Sequence, residues 1–349
     1  MPFARTNSAP TRALIVSLAI MSAFIVAIGI LKGYSFLPDR GLDGFLYQIE
    51  YARDLIVTGG WGVLAEDPLA AVHILRYVIV WPFLQAESVL GSAGSLTLLL
   101  LLLWPLLISF RPQRGDWRDH AYVGVRFAIL ILPLLVSGRT VLVAAGMGYL
   151  ISGIMMRPFS GWRMFIGCLA AILSSASVLF TISVLLMAGN WRDRSRAFYA
   201  AKGFFLVLVI GLFVPSLIAK VDGFATGAVG YAIQGEGEEH SVLQDDIGVG
   251  PVAAIQRIVV RSTLVQSYRE GNEARMLLYV AMFLAAWVYV LWSAAVKHWH
   301  PMLVVLVALS GGILLEGLAL WPILFPLVWA YTGIVRTSRN RASTESRIS

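Results

Sequence analysis

Charged residues are scarce in this chain. Asp, Glu, Lys and Arg make up only 13% of its 349 residues, whereas 58% are hydrophobic. A soluble protein of this length needs far more charged surface, and several apolar runs reach the roughly 20 residues that cross a bilayer as a helix. The scarcity of charge therefore predicts a polytopic integral membrane protein.

The long runs also lack the alternation of apolar and polar residues that marks the strands of a membrane barrel. The segment LTLLLLLLWPLLISF is apolar all round, which favours an all-α helical bundle because a helix satisfies its own backbone groups in lipid. The first run has no small-residue cleavage site after it and is interpreted as a retained helix. Spanning helices are predicted at 13–31, 95–110, 121–137, 140–156, 202–219, 276–296, 302–316 and 318–335.

Cysteine and catalytic motifs are nearly absent. Because Cys168 is the one cysteine of the sequence, no intramolecular disulfide can form, and the residue lies inside an apolar run. No P-loop, GxSxG, HExxH or histidine cluster occurs in the sequence, and NTP-driven or metalloprotease functions therefore have no motif support. We expect no metal and no cofactor. The net charge of +7 does not indicate nucleic acid, because the basic residues flank the apolar runs as topology signals do.

The polar links between the runs fall into a basic set and an acidic set. Two long loops, 32–67 and 220–275, carry eight Lys and Arg against fourteen Asp and Glu, while the termini and four shorter links carry sixteen against four. Because cytoplasmic links are enriched in Lys and Arg, we predict cytoplasmic termini and two external loops. We expect one domain over 1–335, with a disordered basic cytoplasmic tail at 336–349.

Two apolar stretches are ambiguous. The stretch 67–85 carries His73 and Arg76 at its middle and Pro82 near its end, which favours an interfacial or re-entrant element over a span. The stretch 164–188 has basic residues on both sides but only about 25 apolar residues, too few for two spans at ~1.5 Å per residue. Either it forms two half-helices that turn at SSAS (174–177), or it is one tilted span that breaks the charge rule. The predicted bundle thus has about 8–10 transmembrane segments, re-entrant elements included.

The first external loop contains the stretch DGFLYQIEYARD. Its residues Asp43, Tyr47, Glu50 and Asp54 recur at spacings of four, three and four, which places them on one face of a helix. We predict an amphipathic helix that presents carboxylates and a phenol over the membrane. The alternative is a solvated helix whose charges only keep it out of the bilayer.

The second external loop and three isolated charges supply further candidates. Residues 251–270 predict an amphipathic helix with Arg257, Arg261 and Tyr268 along one stripe, suited either to phosphate or diphosphate groups or to ordinary lipid head groups. Charges within or at the ends of membrane segments are functional candidates. These are Arg126, which reaches the cytoplasmic side by snorkelling, and Arg139 and Glu316 at external helix ends. Such groups suit transfer from a lipid-linked diphosphate, with a carboxylate as base and arginines stabilising the departing group.

An ordered series of motifs resembles bacterial Wzy-type (EpsG-like) exopolysaccharide and O-antigen polymerases. The series consists of DGFLY after the first helix, the acidic-Pro segment EDPLAAVHILRYVI, and the Arg-led helix GRTVLVAAGMGYLISG, and it covers roughly residues 10–200. Many members place a histidine at the break of the following apolar segment, where this chain has SSAS, which weakens any role carried over to those serines.

The resemblance implies a metal-independent polymerase at the outer face of the inner membrane, with a GT-C-like membrane bundle. It would transfer a growing glycan from polyprenyl diphosphate to an incoming lipid-linked repeat unit, among membrane lipids and beside a chain-length regulator and a flippase. Asp43, Glu66 and Arg139 are carried over by resemblance, and Glu50 joins the carboxylates from the helical spacing. Arg76, Arg257, Arg261, Tyr268 and Glu316 complete the predicted substrate-binding set.

Two other functions remain open. The stretch YARDLIVTGGWG is similar to the first external loop of GT-C glycosyltransferases, which use polyprenyl-phosphate sugars and sometimes a divalent metal. A polysaccharide or lipid transporter is the other alternative. Transporters usually show matching broken helices in both halves, whereas the predicted breaks here both fall in the first part of the chain.

Overall fold

The computed structural model describes residues 8–37, 45–62, 68–109, 129–135, 137–155, 159–187, 195–226 and 249–253, together with single positions between 126 and 280. This described part is helical and contains no strand. Its helices are α1 (Ser8–Leu31), α2 (Phe45–Gly59), α3 (Pro68–Leu90), α4 (Ser92–Ser109), α5 (Gly138–Met155), α6 (Gly161–Ala171), α7 (Ser175–Met187) and α8 (Arg196–Thr226). The all-α prediction is confirmed over this range.

The predicted helices at 13–31, 95–110, 140–156 and 202–219 correspond to α1, α4, α5 and α8, each with somewhat different ends. Within 121–137, residues 129–135 are helical. The predicted helices at 302–316 and 318–335 lie outside the described residues, as does most of 276–296. The number of spans and the tail at 336–349 therefore stay predictions.

Helix α4 packs against both α1 and α3. Trp104 of α4 donates its indole N–H to the Ser22 hydroxyl of α1 at 3.0 Å, and Leu96 lies against Gly29, so α1 and α4 run antiparallel. The side chains of Leu18 and Ile25 are buried in this contact region. Helix α1 thus packs against α4, and its interpretation as a retained helix stays a prediction.

Helix α3 corrects one prediction. The stretch 67–85 was expected to be broken or re-entrant, but α3 is continuous from Pro68 to Leu90 with Pro82 inside it. Proline removes one backbone hydrogen bond and crowds the preceding turn, yet burial of Val80 and Phe83 on the two sides of Pro82 holds the helix together. An interfacial position for α3 is still a prediction.

Small residues bring α5 and α6 into close contact. Gly146 approaches Ala170, Gly167 approaches Leu150, and Gly153 approaches the first turn of α6, so the two helices are antiparallel. A Cβ atom built on Gly146 would lie 2.1 Å from that of Ala170. Glycine is therefore required at this position for the observed separation of the helices.

Helices α6 and α7 are short and are separated by residues 172–174. Phe159 and Phe165, at the start of α6, contact Phe198 and Phe205 of α8, and Lys202 of α8 bonds to Leu186 near the end of α7. Both ends of the pair thus lie beside the start of α8, and the chain reverses at 172–174. The two-helix alternative is confirmed, with Ser175–Ser177 already inside α7.

Two described helices are long and apolar enough to cross a membrane. These are the segments Ala13–Leu31 of α1 and Arg196–Val214 of α8, and only 22% of each window is buried within the described structure. The core helix of a soluble protein would be mostly covered by its own chain. Phe24, Phe204 and Val207 are instead more than half exposed, which is the surface expected of helices that face lipid.

Candidate functional site

The α6–α7 break is an irregular backbone segment inside the bundle. Ile172, Leu173 and Ser174 are all buried. The Ser177 hydroxyl lies 2.8 Å from the Ala171 carbonyl oxygen and 2.7 Å from that of Ser174, so its single proton is shared between them. The SSAS sequence thus has a structural role here, because a short hydroxyl side chain closes the turn.

Two arginines from different helices converge on this break. The Nε–H of Arg76, on α3, donates to the Ile172 carbonyl oxygen at 2.9 Å. The Nε–H of Arg139, in the first turn of α5, donates to the Leu173 carbonyl oxygen at 3.1 Å. The break is therefore held by two guanidinium groups bonded to consecutive carbonyls of the chain.

The electrostatics of the break follow from this arrangement. The last carbonyls of a helix have no partner within it and carry a partial negative charge, which favours a cation nearby. The side chain of Arg76 is only 7% exposed, and such a buried charge requires hydrogen-bonded partners. The first turn of α7 then presents the positive end of a helix at the same place. Two guanidinium groups and the start of a helix thus meet at the break.

The segment 34–37 packs beside this region. Phe36 is fully buried, and its ring stacks on that of Phe83 at 5.1 Å between centroids. The backbone N–H of Gly138 donates to the Phe36 carbonyl oxygen at 2.9 Å, and the Ser92 hydroxyl bonds to the Tyr34 carbonyl. Segment 34–37 thus joins the α3–α4 turn to the start of α5, directly before Arg139.

Burial and a nearby charge raise the pKa of one phenol in this segment. The pKa of Tyr34 is raised well above its usual value, chiefly because burial disfavours the phenolate and secondly because the Glu87 carboxylate lies nearby. Its hydroxyl is enclosed and has no hydrogen-bond partner among the described residues. Tyr34 is therefore protonated over the physiological range and does not act as a base.

The structure brings together Arg76 and Arg139 of the predicted set. Glu50 is exposed on α2, whose buried Ile49 and Ala52 face the bundle. The predicted helix is thus confirmed in its existence, with Glu50 on its exposed face. Its neighbour Tyr51 contacts the His73 ring edge-on at 6.1 Å, one turn before Arg76 on α3. The predicted site residues Asp43, Glu66, Arg257, Arg261, Tyr268 and Glu316 lie outside the described residues.

Sequence reasoning missed Glu87 and the break carbonyls. Glu87 lies near the end of α3 and accepts a hydrogen bond from the Phe36 backbone N–H at 2.9 Å. An isolated acid in an apolar helix could have been singled out by the same rule that selected Arg139, had the helix been extended beyond 85. The carbonyls at 172 and 173 carry no side-chain signal, so their position could not be found from the sequence.

No group of three or more His, Cys, Asp or Glu side chains suited to a metal occurs among the residues that the structure describes. No family model, curated protein or solved structure matches the chain. The two arginines and the backbone that they hold are therefore the structural basis for assigning a function.

Proposed function

We propose that this chain is a polytopic protein of the bacterial inner membrane that polymerises lipid-linked polysaccharide repeat units. It transfers a growing glycan from polyprenyl diphosphate to an incoming lipid-linked unit at the outer face. The membrane part of the proposal is supported by the exposed apolar surfaces of α1 and α8. The enzymatic part is supported by the arginines and by the resemblance of the ordered motifs.

The single observation that carries the proposal is the meeting of Arg76 and Arg139 at the α6–α7 break. Both arginines were predicted from the sequence to bind diphosphate. In the structure their Nε–H groups donate to the carbonyl oxygens of two consecutive residues, Ile172 and Leu173. In lipid, the carbonyls of a helix break have no water to bond with and require donors from the protein. Guanidinium groups held there are fixed before substrate arrives, which is the condition for effective stabilisation of a departing diphosphate.

The chemistry is divided between carboxylates and arginines. A carboxylate from the first external loop (Asp43, Glu50 or Glu66) accepts the proton of the acceptor hydroxyl, which attacks the anomeric carbon. The bond from that carbon to the diphosphate oxygen breaks, and the arginines stabilise the negative charge that develops there. Arg257, Arg261, Tyr268 and Glu316 are assigned to binding the lipid-linked substrates.

A transporter is the second candidate, because paired half-helices line substrate sites in many transporters. In those proteins, unwound carbonyls often coordinate a coupling cation. Here the carbonyls of Ile172 and Leu173 accept hydrogen bonds from cationic side chains. Because donors already occupy these two carbonyls, they are not available to coordinate a sodium ion, which supports the diphosphate enzyme over a cation-coupled carrier.

The deciding experiment is deletion of the gene followed by analysis of lipid-linked glycans. Loss of a polymerase leaves single repeat units on their lipid at the outer face, whereas loss of a flippase leaves them at the inner face. Synthesis by the purified protein in EDTA separates the polymerase from a metal-using GT-C enzyme. Loss of synthesis in EDTA with recovery in magnesium or manganese would favour the GT-C enzyme.

The carboxylates are tested by Asp43→Asn, Glu50→Gln and Glu66→Gln. The true base should lose about 10²–10⁴-fold in rate at normal membrane abundance, the range expected for a general base. Arg53→Gln is the matched control, because Arg53 is also an exposed charge on α2. Normal polymer from all three carboxylate variants would overturn this role of the first external loop.

A further inference from the structure

Glu87 has no role in the reaction proposed above, yet its carboxylate is engaged with backbone. Its Oε2 atom accepts the Phe36 N–H at 2.9 Å, across 51 residues of chain. A bond from a backbone N–H to a carboxylate is charge-assisted and stronger than one between neutral groups. Glu87 therefore holds segment 34–37 in a defined position against α3.

Segment 34–37 in turn fixes the start of α5. Phe36 accepts the Gly138 N–H through its carbonyl oxygen at 2.9 Å, which satisfies one of the N–H groups that lack a partner at a helix start. A Cβ atom on Gly138 would lie 2.1 Å from the Phe36 ring. The ring and the helix start are thus in direct contact, and neither can move without the other.

Arg139 follows Gly138 in the chain and bonds to Leu173 at the break. A series of three hydrogen bonds therefore leads from Glu87 to the break. The first joins Glu87 to Phe36, the second joins Phe36 to Gly138, and the third joins Arg139, the next residue, to Leu173. Glu87 is half-buried, and the Phe36 residue whose N–H it accepts is fully buried. Loss of the carboxylate would leave that buried N–H without a partner, which is costly.

We infer that Glu87 is a positioning residue that sets the guanidinium of Arg139 at the α6–α7 break by holding segment 34–37 against the start of α5. It touches neither substrate nor reacting atoms in this assignment. The inference rests on the proposed function in one respect only, which is the role of Arg139 in binding diphosphate. The mechanical connection from Glu87 to the break is independent of that purpose and can be measured without activity.

The first test measures the break directly. Ser174→Cys is placed in a Cys168→Ala background, which removes the chain's one native thiol, and its reaction rate with a maleimide is followed in membranes. Ser174 is only 2% exposed, so the reaction should be slow. Glu87→Ala should raise the rate about tenfold or more, the factor expected for loss of a hydrogen bond to a charged group.

Gln85→Ala is the matched control, because Gln85 is an exposed polar residue two positions earlier on α3. It should leave the labelling rate unchanged. Equal rates in Glu87→Ala and the control would overturn the inference. If Glu87→Ala does not accumulate in membranes, Glu87→Leu replaces it with the same two outcomes, because leucine fills a similar volume and cannot accept the Phe36 N–H.

The second test is a double-mutant cycle in the polymerisation assay. If Glu87 acts through Arg139, then Glu87→Ala should reduce kcat in the native background and have little further effect on Arg139→Ala. Losses that multiply would overturn the inference. Normal polymerisation by Arg139→Ala would overturn the proposed function instead, while the labelling result would still decide the role of Glu87.

Discussion

The two ends of the α6–α7 pair are held by different chemistry. At the tip, residues 172–174, the contacts are polar and directional, from the guanidinium groups of Arg76 and Arg139 to consecutive carbonyls. At the base, where α6 begins and α7 ends, aromatic rings of Phe159 and Phe198 lie 5.5 Å apart at a steep angle. The tip is thus held by two guanidinium groups on backbone carbonyls, whereas at the base aromatic packing accompanies the side-chain contacts of Arg163 and Lys202.

This difference separates stability from function in the two regions. Aromatic packing removes apolar surface from water and tolerates small shifts, since it is largely non-directional. A bond between guanidinium and carbonyl depends on geometry within a few tenths of an ångström. Charges placed inside an apolar bundle are costly and are functional candidates by default, which is why the proposed anion chemistry is assigned to the tip. The comparison predicts that tip and base respond differently to substitution.

The largest expected effect is that the tip and the base of the α6–α7 pair are exposed on opposite sides of the membrane. In a Cys168→Ala background, Ser35→Cys near the tip should react with an impermeant thiol reagent added outside intact cells. Ser195→Cys near the base should react only after the inner membrane is permeabilised, because basic links are cytoplasmic. Both serines are exposed, so they form a matched pair. The reverse labelling pattern would show that the orientation is wrong.

Removal of the tip arginines should give the next largest effect. Arg76→Ala and Arg139→Ala should each reduce polymer formation by about 10²–10³-fold, as expected when a donor that stabilises transition-state charge is lost. Arg139→Lys should retain partial activity, because it keeps the charge but loses the planar fork. Polymer length on gels, single-unit glycan accumulation and membrane abundance by immunoblot are the measurements.

The control for the tip arginines is Arg163, another buried arginine, near the base. Its guanidinium donates from Nη1 to the Ser152 hydroxyl at 3.1 Å and lies 5.2 Å from the Trp162 ring centroid. Arg163→Lys should lower membrane abundance without a matching loss of activity per molecule. Equal losses of specific activity at tip and base would remove the functional distinction between them.

Apolar length and flanking charge are local signals, and they predicted the helices observed as α1, α4, α5 and α8. For the stretch that contains the break, the sequence left two alternatives open. It also selected Arg76 and Arg139, since isolated charges in apolar segments stand out. Their meeting could not be predicted, because it depends on how α3 and α5 pack around the break, and sequence spacing does not report that packing. The error at 67–85 has a related cause. Pro82 and Arg76 predicted a break, but burial of Val80, Phe83 and Arg76 against neighbouring helices keeps α3 continuous.

Between tip and base, the α5–α6 contact should show a moderate effect on stability. Gly146→Ala places a methyl group 2.1 Å from the Ala170 Cβ atom, and overpacking of this kind costs about 1–3 kcal/mol. We expect a lower melting temperature in detergent and less protein in membranes. Gly211→Ala on α8 is the matched control, since no described atom lies within 4 Å of its added Cβ. Equal stability of the two variants would contradict close packing of α5 on α6.

The smallest effect is expected at Lys202, which makes a polar contact between α8 and α7 at the base. Its Nζ atom donates to the Leu186 carbonyl oxygen at 3.1 Å from an exposed position. Lys202→Met keeps the apolar stem and removes only the ammonium group, so stability should change by less than about 0.5 kcal/mol. Thermal melting in detergent and polymer length are the measurements, and both should stay near those of the native protein. A loss of polymer comparable to that of Arg139→Lys, at normal abundance, would mean that a charge at the base also serves the reaction. The separation of a polar, functional tip from a structural base would then be wrong.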